Sequence, residues 1–499
     1  MKIRTGHFAG VLVAMAGSVL LANERPNVLM IAVDDLRPML GCYGDSRAIT
    51  PNIDALAEEG MLFERAFCQY SKCGPSRLSL MTGLKPKTVG VFGHGIRSLE
   101  RFRSGDANGI TMAEWLKNHG YETRSFGKVD HDGWSQLRDW SEPPSPGRDG
   151  EMLEVVNEAD LSAPTAIAER WDCPVMQSPD VPDDHLFAGR MTNEVIRELE
   201  RREDERPFFY AVGFRRPHLP FVAPKRYFDL HEPDGSWLPR NPEPPAGVPP
   251  VSWFSSDGYV GGAKKIGITI PVRPNRQQAV LLNGFEMRSY EGVRNLGLLE
   301  KADQLKLQQA YAACVSYVDA QIGRLLESLN LSGKRENTIV LLWSDHGWHL
   351  GELSVWGKMT NYETGTHVPL IIDAPGKAPG RTASLAGLID LYPTLCDLTG
   401  VEKPPHLEGV SLVPVLEDSD AAVRETVQSY YVRYNGKFTG DSVRTDRYRY
   451  QLWKNREGGV ESEELYDLTA DPLEQRNLVK RDPDRAEEFR GLVESESGD

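Results

Sequence analysis

The 499-residue sequence predicts an α/β fold in which helices flank a large, mainly parallel sheet. Short apolar runs without polar alternation recur along the chain, as expected of strands that are covered on both faces. Amphipathic helical segments lie between these runs, and an alternation of strands with helices is typical of a parallel sheet. After about residue 416 the strand-like pieces become shorter, which predicts a small subdomain with an antiparallel sheet.

The predicted elements follow one another in a regular order along the chain. Strands of the large sheet are predicted at residues 27–33, 123–126, 207–214, 338–343 and 368–372. Helices are predicted at residues 51–60, 111–120 and 303–329. The first helix begins at Pro51 and ends at Gly60, which matches the preference for proline at the first helical position and glycine after the last. The longest helix repeats apolar residues at helical spacing, so one face is expected to be buried.

The first residues have the layout of a secretory signal peptide. Lys2 and Arg4 precede an uncharged apolar run at residues 8–21, and the small residue Ala22 follows as a cleavage position. A buried or anchoring helix is the alternative. We predict a signal peptide at residues 1–22, a large domain at residues 24–416 and a smaller carboxyl-terminal subdomain at residues 417–499. No later stretch reaches the ~20 apolar residues of a membrane span, so we expect a periplasmic or secreted protein without a stable span.

The composition limits the partners of the chain. A net charge of −15 repels polyanions at long range, so nucleic acid is not expected as a partner. An anionic ligand would therefore need a local cluster of basic side chains. The six cysteines lack the paired spacing of a zinc site, and no disulfide pair can be assigned. The irregular stretches at residues 135–182 and 231–294 are either binding loops or peripheral decoration.

Two strands of the predicted parallel sheet end in pairs of polar residues. Asp34 and Asp35 follow the first strand, and Asp345 and His346 follow the fourth. Because the carboxyl ends of parallel strands share one edge, we expect the two pairs to meet. Adjacent ionised carboxylates repel each other, and a bound cation removes that repulsion. Oxygen ligands favour Ca²⁺ or Mg²⁺, although imidazole also suits softer ions, and each pair alone also fits a loop start or a helix cap.

Residues 73–77 read Cys-Gly-Pro-Ser-Arg and begin a short predicted helix that stops at Gly83. Pro75 near the first turn places Cys73 at the amino terminus of the helix, where unpaired N–H groups attract anions. Arg77 lies one turn further on the same side. This arrangement fits a nucleophile that attacks a tetrahedral oxyanion, while a thiolate nucleophile and a buried thiol remain open.

The pattern Cys-x-Pro-Ser-Arg, followed by a helix that ends in Thr-Gly, resembles the signature of type I sulfatases. The resemblance covers nearly all of the chain beyond the leader. Matching segments lie at residues 27–35, 127–131, 213–221, 344–351 and 464–478, and at Lys358. Arg-Pro-His-Leu-Pro-Phe, Asp-His-Gly-Trp and Thr-His-Val-Pro-Leu resemble most the iduronate-2-sulfatase-like members. The resemblance implies an alkaline-phosphatase-like sandwich and the hydrolysis of a sulfate ester.

In that family the signature cysteine is oxidised to formylglycine, which hydrates to a geminal diol that attacks sulfur. The resemblance therefore implies a maturase that modifies Cys73, and a sulfated carbohydrate substrate such as a uronate or another glycan. The implied metal ligands are Asp34, Asp35, Cys73, Asp345 and His346, with Ca²⁺ as first choice and Mg²⁺ as second. The implied catalytic residues are Cys73, Arg77, Lys128, His131, His218 and Lys358. His218 would protonate the leaving oxygen, His131 would take a proton from the diol, and the cationic side chains would neutralise the sulfate oxygens.

Departures from the family pattern leave several points open. Arg216 stands where related enzymes usually carry lysine, and Asp130 stands where they often carry an apolar or aromatic residue. Trp348 fits either the floor of a sugar pocket or the core, and His367 fits either a substrate contact or a structural hydrogen bond. The first alternative function is a phosphonate or phosphate monoester hydrolase of the same superfamily. The second is a non-catalytic protein that binds sulfated glycans.

Overall fold

A computed structural model describes residues 25–94, 109–131, 137–145, 154–155, 165–166, 173–293 and 296–495. The predicted signal peptide at residues 1–22 and parts of the loop at residues 135–182 lie outside the described residues. None of the helices in the described ranges combines the length and apolar character that crossing a bilayer requires.

The chain is built around one large mixed sheet. The strands are β1 (Asn27–Val33), β2 (Met61–Phe67), β3 (Glu122–Gly127), β4 (Glu154–Val155), β5 (Thr165–Ala166), β6 (Met176–Gln177), β7 (Phe208–Phe214), β8 (Phe221–Val222), β9 (Thr338–Ser344), β10 (His349–Leu350), β11 (Trp356–Gly357), β12 (His367–Val368), β13 (Leu370–Asp373), β14 (Gly380–Gly387), β15 (Val427–Arg433), β16 (Phe438–Arg444), β17 (Tyr448–Asn455) and β18 (Val460–Asp467). Eight of them form a sheet in the order β12-β2-β13-β9-β1-β7-β3, with β14 paired to β2. The strands β9, β1, β7 and β3 are parallel, which confirms the predicted mainly parallel sheet.

Strand β1 shows why its apolar run has no polar alternation. Leu29 and Ile31 belong to the hydrophobic core on one face of the sheet, and Val28 and Met30 belong to the core on the other face. Successive side chains of a strand point to opposite faces, so a run that is apolar at every position requires cover on both sides. The two cores confirm the sandwich that the sequence predicts.

Helices provide this cover. They are α1 (Pro51–Glu59), α2 (Cys73–Thr82), α3 (Pro86–Val89), α4 (Met112–Asn118), α5 (Phe187–Arg201), α6 (Lys225–Phe228), α7 (Pro250–Trp253), α8 (Val260–Lys265), α9 (Arg276–Leu282), α10 (Phe285–Arg288), α11 (Lys301–Leu331), α12 (Glu363–Thr366), α13 (Leu391–Thr399), α14 (Val413–Glu417) and α15 (Pro483–Ser495). The long helix α11 packs with α1 and α5 over the core that contains Leu29. Helices α2, α4 and α13 contribute to the core on the opposite face.

A second, smaller sheet follows near the carboxyl terminus. Strands β15 to β18 form a four-stranded antiparallel sheet in sequential order, as predicted. Helix α15 packs on this sheet through Ala486, Phe489 and Val493, which share a core with Val443 and Tyr450. The antiparallel arrangement confirms the predicted subdomain type, whereas its boundary at residue 417 stays a prediction.

Parts of the large sheet differ from the sequence prediction. Strands β2 and β14 are not predicted, because Glu64 and Arg65 interrupt the apolar run of β2 and because β14 is rich in small and polar residues. The predicted strand at residues 368–372 is two short strands, β12 and β13, on either side of Pro369. Both run antiparallel to their neighbours. Proline lacks the N–H that a continuous ladder requires, which explains the break.

Asp319 joins α11 to α1 and provides a test of the packing. Its buried carboxylate accepts hydrogen bonds from the backbone N–H groups of Asn52 (3.1 Å) and Ile53 (2.8 Å) at the start of α1. We expect Asp319→Ala to lower the free energy of unfolding by about 2 kcal/mol, because two N–H groups lose their acceptor. Urea unfolding followed by circular dichroism measures this change. Glu327→Ala, on the exposed side of α11, should change it by less than about 0.5 kcal/mol.

The carboxyl group of Asp319 also predicts that the free energy of unfolding depends on pH. Burial raises the pKa of Asp319 from 3.8 to about 6, although the hydrogen bonds from Ile53 and Asn52 oppose this shift. The folded state therefore binds this proton more tightly than the unfolded state. Protonation of Asp319 therefore stabilises the folded state most at acid pH. This contribution is lost as the pH rises through the pKa that Asp319 has in the folded state. The difference in stability between the wild type and Asp319→Ala should shrink as the pH rises from about 4 to about 6, and an increase over this range would contradict this.

Candidate active site

The two predicted polar pairs meet at the carboxyl edge of the large sheet. Strands β1 and β9 are adjacent and parallel, with Val33 paired to Ser344, so Asp34 and Asp345 follow at the same level. The backbone N–H of Asp35 donates to Oδ1 of Asp345 at 3.2 Å. Asp35 has a φ of 61°, a left-handed conformation that is uncommon for a residue other than glycine. The chain thus turns sharply after β1 and brings both carboxylates of this pair into the site.

Helix α2 presents Cys73 to the same place. Ser76 Oγ donates to the carbonyl oxygen of Asp345 at 2.5 Å, which ties the first turn of the helix to the end of β9. The buried Sγ of Cys73 lies 3.3 Å from Nε2 of His346 and 3.2 Å from Nζ of Lys358. The predicted nucleophile therefore lies in contact with one predicted metal ligand and one predicted catalytic cation.

Arg77 is fully buried behind the carboxylates. Its Nε donates to Oδ2 of Asp345 at 2.9 Å, and its Nη2 donates to Oδ1 of Asp34 at 3.3 Å. Its Nη1 donates to the carbonyl oxygens of Lys128 (2.6 Å) and Val129 (2.8 Å). These bonds engage Nε and both terminal nitrogens of the guanidinium. Arg77 thus holds two acidic side chains in place.

The donor set at this edge fits a divalent cation. One ligand atom from each of Asp34, Cys73, Asp345 and His346 lies within 4.8 Å of the others, and a second group joins Asp34, Asp35, Cys73 and His218. Nδ1 of His346 lies 3.0 Å from the carbonyl oxygen of Gly347 and must donate to it, so the lone pair of Nε2 faces the carboxylates. Oδ2 of Asp35 is buried and accepts no hydrogen bond from the described residues. A cation between these atoms would accept the lone pair of Nε2 of His346 and would give Oδ2 of Asp35 a partner.

The two adjacent aspartates have opposite pKa shifts. Burial disfavours the ionised form of Asp34, but the charges of Lys128, His218, Arg77 and Lys358 outweigh burial and hold its pKa well below the usual range. Burial raises the pKa of Asp35 well above its usual range, and repulsion by Asp34 adds to this effect against the attraction of Lys358. For Asp34 and Asp35 to be ionised at the same time, a further positive charge is therefore needed beside them.

Two lysines each pair with one of these aspartates. Nζ of Lys128 forms an ion pair with Oδ2 of Asp34, and Nζ of Lys358 donates to Oδ1 of Asp35 at 2.7 Å. Burial opposes the charge on Lys358, but Asp35, Cys73 and Glu286 together raise its pKa well above the usual range. Both ammonium groups also line the cavity in front of Cys73, so each can contact a ligand there.

His218 points one defined ring nitrogen into the site. Its Nδ1 lies 2.7 Å from the carbonyl oxygen of Leu219 and must donate to it, which leaves Nε2 facing Oε1 of Glu286 (3.5 Å) and Oδ2 of Asp35 (4.0 Å). Burial and the charge of Lys358 lower the pKa of His218 well below its usual range, although Asp34 opposes this shift. The orientation makes Nε2 the atom that can exchange a proton with a ligand.

A cavity of about 160 Å³ opens in front of Cys73. Its lining residues include five of the predicted catalytic residues, Cys73, Lys128, His131, His218 and Lys358. It also contains side chains that the sequence analysis did not identify, namely Lys72, His94, Arg215, Tyr259 and Glu286. The ring of His94 stacks on that of His131 with centroids 4.0 Å apart. Lys72 and Arg215 could have been predicted from the sequence, because each directly precedes a residue of a motif. His94 and Glu286 have no such motif beside them.

The unmodified thiol of Cys73 is not a thiolate in this setting. Burial and the charge of Asp34 raise its pKa to about 11, against the opposing charges of Lys128 and Lys358. The thiol is therefore protonated near neutral pH and is a weak nucleophile. All six cysteines are free thiols in this structure.

Known proteins with similar sequences place the chain in a family. Residues 26–401 match the family model described as sulfatase. Iduronate 2-sulfatase of Homo sapiens is 31% identical, and the alignment covers 94% of each chain. The chain belongs to the sulfatase family. It is therefore a sulfuric ester hydrolase. Residues 351–493 of this sulfatase also match the model described as N-sulphoglucosamine sulphohydrolase, C-terminal.

Further relatives carry different names. Choline-sulfatase of Rhizobium meliloti is 28% identical over 92% of this sulfatase and 83% of its own length. Among solved structures, a phosphonate monoester hydrolase of Agrobacterium radiobacter superposes with a TM-score of 0.70 at 25% identity, and the match covers 94% of each chain. These relatives support the family. Their names refer to different substrates, so they do not identify a single substrate for this sulfatase.

Three residues of the sulfatase that the sequence left open lie away from the cavity. Trp348 is buried in the core, and the ammonium of Lys358 lies 5.3 Å from the centre of its ring. Nε2 of His367 donates to the carbonyl oxygen of Glu64 at 2.8 Å, which supports the structural reading. Arg216 is buried and donates to the carbonyl oxygen of His218 at 3.0 Å. It supports the segment that carries His218 and is not among the residues that line the cavity.

Proposed function

We propose that this sulfatase is exported, carries formylglycine at position 73, binds Ca²⁺ and hydrolyses a sulfate ester on a sulfated carbohydrate. Mg²⁺ is our second choice of cation. Export and cleavage after residue 22 rest on the sequence pattern of the leader, and conversion of Cys73 requires a maturase that acts on residues 73–77. The division into a catalytic domain at residues 24–416 and a subdomain at residues 417–499 belongs to the same proposal.

One observation carries the proposal. Ligand atoms of Asp34, Cys73, Asp345 and His346 converge within 4.8 Å of one another, directly behind a cavity lined by basic side chains. Carboxylates that converge on a nucleophile position need a cation, and the cationic wall in front of them suits a tetrahedral oxyanion. Among the residues that the structure describes, the one further group with this spacing, Asp34, Asp35, Cys73 and His218, shares Asp34 and Cys73 with the first and so belongs to the same site.

The two groups that we propose for the site contribute distinct chemistry. Formylglycine at position 73, when hydrated, supplies a hydroxyl nucleophile for attack on sulfur. A divalent cation, when bound, polarises the sulfate and favours the deprotonated form of that hydroxyl. Asp34, Asp35, Asp345 and His346 would hold this cation.

The basic residues have separate tasks in this proposal. Arg77 keeps Asp34 and Asp345 in a geometry that can bind the cation, since its guanidinium donates to both. Lys128 and Lys358 face the cavity and neutralise charge on the sulfate oxygens, because an ammonium has three donors and can contact an aspartate and a ligand together. Loss of one such donor should reduce the rate on the order of 10²-fold.

Two histidines would carry out the proton transfers in this proposal. His218 presents Nε2 to the cavity, where a bound anion favours the protonated form of the ring, and it would then donate the proton on this atom to the leaving alcohol oxygen. His131 lines the same cavity and would accept the proton of the hydroxyl group as sulfate leaves. Both assignments come from the resemblance to type I sulfatases, and the presence of both residues in the cavity wall supports them.

The substrate class rests on the relatives and on the shape of the cavity. Iduronate 2-sulfatase and the N-sulphoglucosamine sulphohydrolase domain carry names that refer to sulfated sugars. The cavity of about 160 Å³ is small, and the acidic chain repels long polyanions. We propose short sulfated saccharides as substrates. Faster desulfation of intact polymer than of its oligosaccharides would contradict this.

Phosphonate or phosphate monoester hydrolysis is the second candidate, favoured by the structural likeness to the Agrobacterium radiobacter enzyme. Parallel assays of an aryl sulfate, an aryl phosphate and an aryl phosphonate monoester separate the two. The full chain is expressed with a formylglycine-forming maturase, and mass spectrometry of the peptide containing Cys73 reports the modification. We expect the highest kcat/KM with the sulfate. A higher value with either phosphorus ester would overturn the proposed function.

A further inference from the structure

Lys72 is a cation of the cavity wall that the proposed reaction does not use. Its backbone is fixed, because its N–H donates to the carbonyl oxygen of Tyr70 at 2.8 Å and its carbonyl accepts from the N–H of Ser76 at 3.1 Å. Its side chain is half-buried, and none of the described carboxylates lies within ion-pair distance of its Nζ. Among the residues that the structure describes, the ammonium is therefore held beside Cys73 without an anionic group in contact with it.

The acidic residues nearest to Lys72 contact other cations. Asp257 and Glu286 are the two carboxylates that act electrostatically on Lys72. Asp257 forms an ion pair of 2.6 Å with Arg433, and Glu286 lies 3.5 Å from His218 and 3.8 Å from Lys358. A half-buried cation in this situation gains stability from an anionic ligand.

A count of charges leads to the same conclusion. A sulfate monoester carries one negative charge. A divalent cation together with Arg77, Lys128 and Lys358 exceeds the four carboxylates of the site, Asp34, Asp35, Asp345 and Glu286, by one positive charge, which the sulfate ester already balances. Lys72 adds a further positive charge to the same small cavity, at a point where the low dielectric strengthens its field. The cavity is therefore more positive than a singly charged substrate requires.

The structure leaves space beside this ammonium. A Cβ at Gly258 would lie 4.0 Å from Nζ of Lys72 and 3.4 Å from Sδ of Met359, with no closer atom outside the adjacent residues. Both Gly258 and Met359 line the cavity. Residue 258 has no side chain that covers the ammonium, and all three residues border the cavity from which a group of the substrate can reach it.

We infer that Lys72 binds a second anionic group, a carboxylate or a further sulfate, which the substrate carries beside the sulfate ester. The inference rests on the proposed function and narrows it to saccharides with at least two negative charges near the reaction centre. Lys72 is then a specificity residue for the neighbouring group, and it takes no part in the proton transfers.

The test uses two pairs of saccharides as competitors of aryl sulfate hydrolysis. One pair is a 2-O-sulfated uronate glycoside and its methyl ester, and the other is 6-O-sulfated glucosamine with an N-sulfo or an N-acetyl group. The ratio of inhibition constants within a pair measures the contribution of the second anion. We expect the wild type to prefer the doubly charged member of at least one pair by about 10-fold or more, since one charge-assisted hydrogen bond contributes this much.

Three variants test whether Lys72 causes this preference for the doubly charged saccharide. Lys72→Met should bring the ratio close to one, Lys72→Arg should retain most of the preference, and Lys403→Met, which removes an exposed lysine elsewhere, should match the wild type. A response of the uronate pair identifies a carboxylate, and a response of the glucosamine pair identifies a sulfate. Equal inhibition within both pairs, or an unchanged ratio in Lys72→Met, overturns the inference alone. Absence of aryl sulfate hydrolysis in the modified wild type overturns the proposed function as well.

Discussion

Cys73→Ala should reduce kcat/KM for an aryl sulfate on the order of 10⁴-fold or more, because it removes the nucleophile while leaving the charged wall in place. The side chain is small and buried, so the alanine variant should fold like the wild type. Initial rates on an aryl sulfate, with the maturase present during expression, measure the loss. Circular dichroism and the urea midpoint check that the fold is kept.

A matched control is available at Cys42. This thiol is only partly buried and lies outside the cavity, and burial together with Asp54 raises its pKa to about 12. Cys42→Ala should therefore retain wild-type kcat/KM. A Cys73→Ala variant that hydrolyses the aryl sulfate at the wild-type rate would show that the nucleophile is another residue, and the role of position 73 would have to be abandoned.

Asp345→Ala should lower the affinity for Ca²⁺ by at least about 10²-fold and also destabilise the metal-free protein by about 3–5 kcal/mol. The carboxylate of Asp345 accepts from Nε of Arg77 (2.9 Å) and from the backbone N–H groups of Asp35 (3.2 Å) and His346 (3.1 Å). Without it, the buried guanidinium of Arg77 retains only Asp34 as a charged partner. Both effects thus arise from one buried side chain.

Two measurements separate these effects. Isothermal titration calorimetry with CaCl₂ gives the affinity, and urea unfolding in the presence of EDTA gives the stability of the metal-free protein. Asp345→Asn keeps an acceptor and the shape, so it should lose cation affinity with a smaller loss of stability. Asp397→Ala removes an exposed partner of Lys403 and should change neither. Wild-type affinity for Ca²⁺ in Asp345→Ala would remove this residue from the ligand set.

The chemistry of the site could be read from local sequence because each group follows an element boundary. Asp34 and Asp345 come directly after apolar strands, and Cys73 opens a helix with Pro75 in its first turn. Strand ends and helix starts are set by short-range patterns, so their position along the chain is predictable. The mainly parallel sheet follows from the same apolar runs.

Several partners of these groups could not be predicted. The resemblance predicts that Arg77 faces the sulfate, whereas in the structure its guanidinium donates to Asp34, Asp345 and two backbone carbonyls. Glu286 reaches His218 from a stretch without periodicity, although the two are far apart in sequence. Such contacts depend on how distant loops pack, and no local pattern encodes them.

The sequence by itself determined which residue types stand at the strand ends and at the start of α2, and hence predicted a cation site and a nucleophile position. Only the tertiary structure decided that β9 lies next to β1, which brings Asp345 to Asp34, and that Lys72 and Glu286 enter the same cavity. The reason is physical: strand and helix ends depend on neighbours along the chain, whereas strand order and side-chain partners depend on burying both faces of the sheet at once.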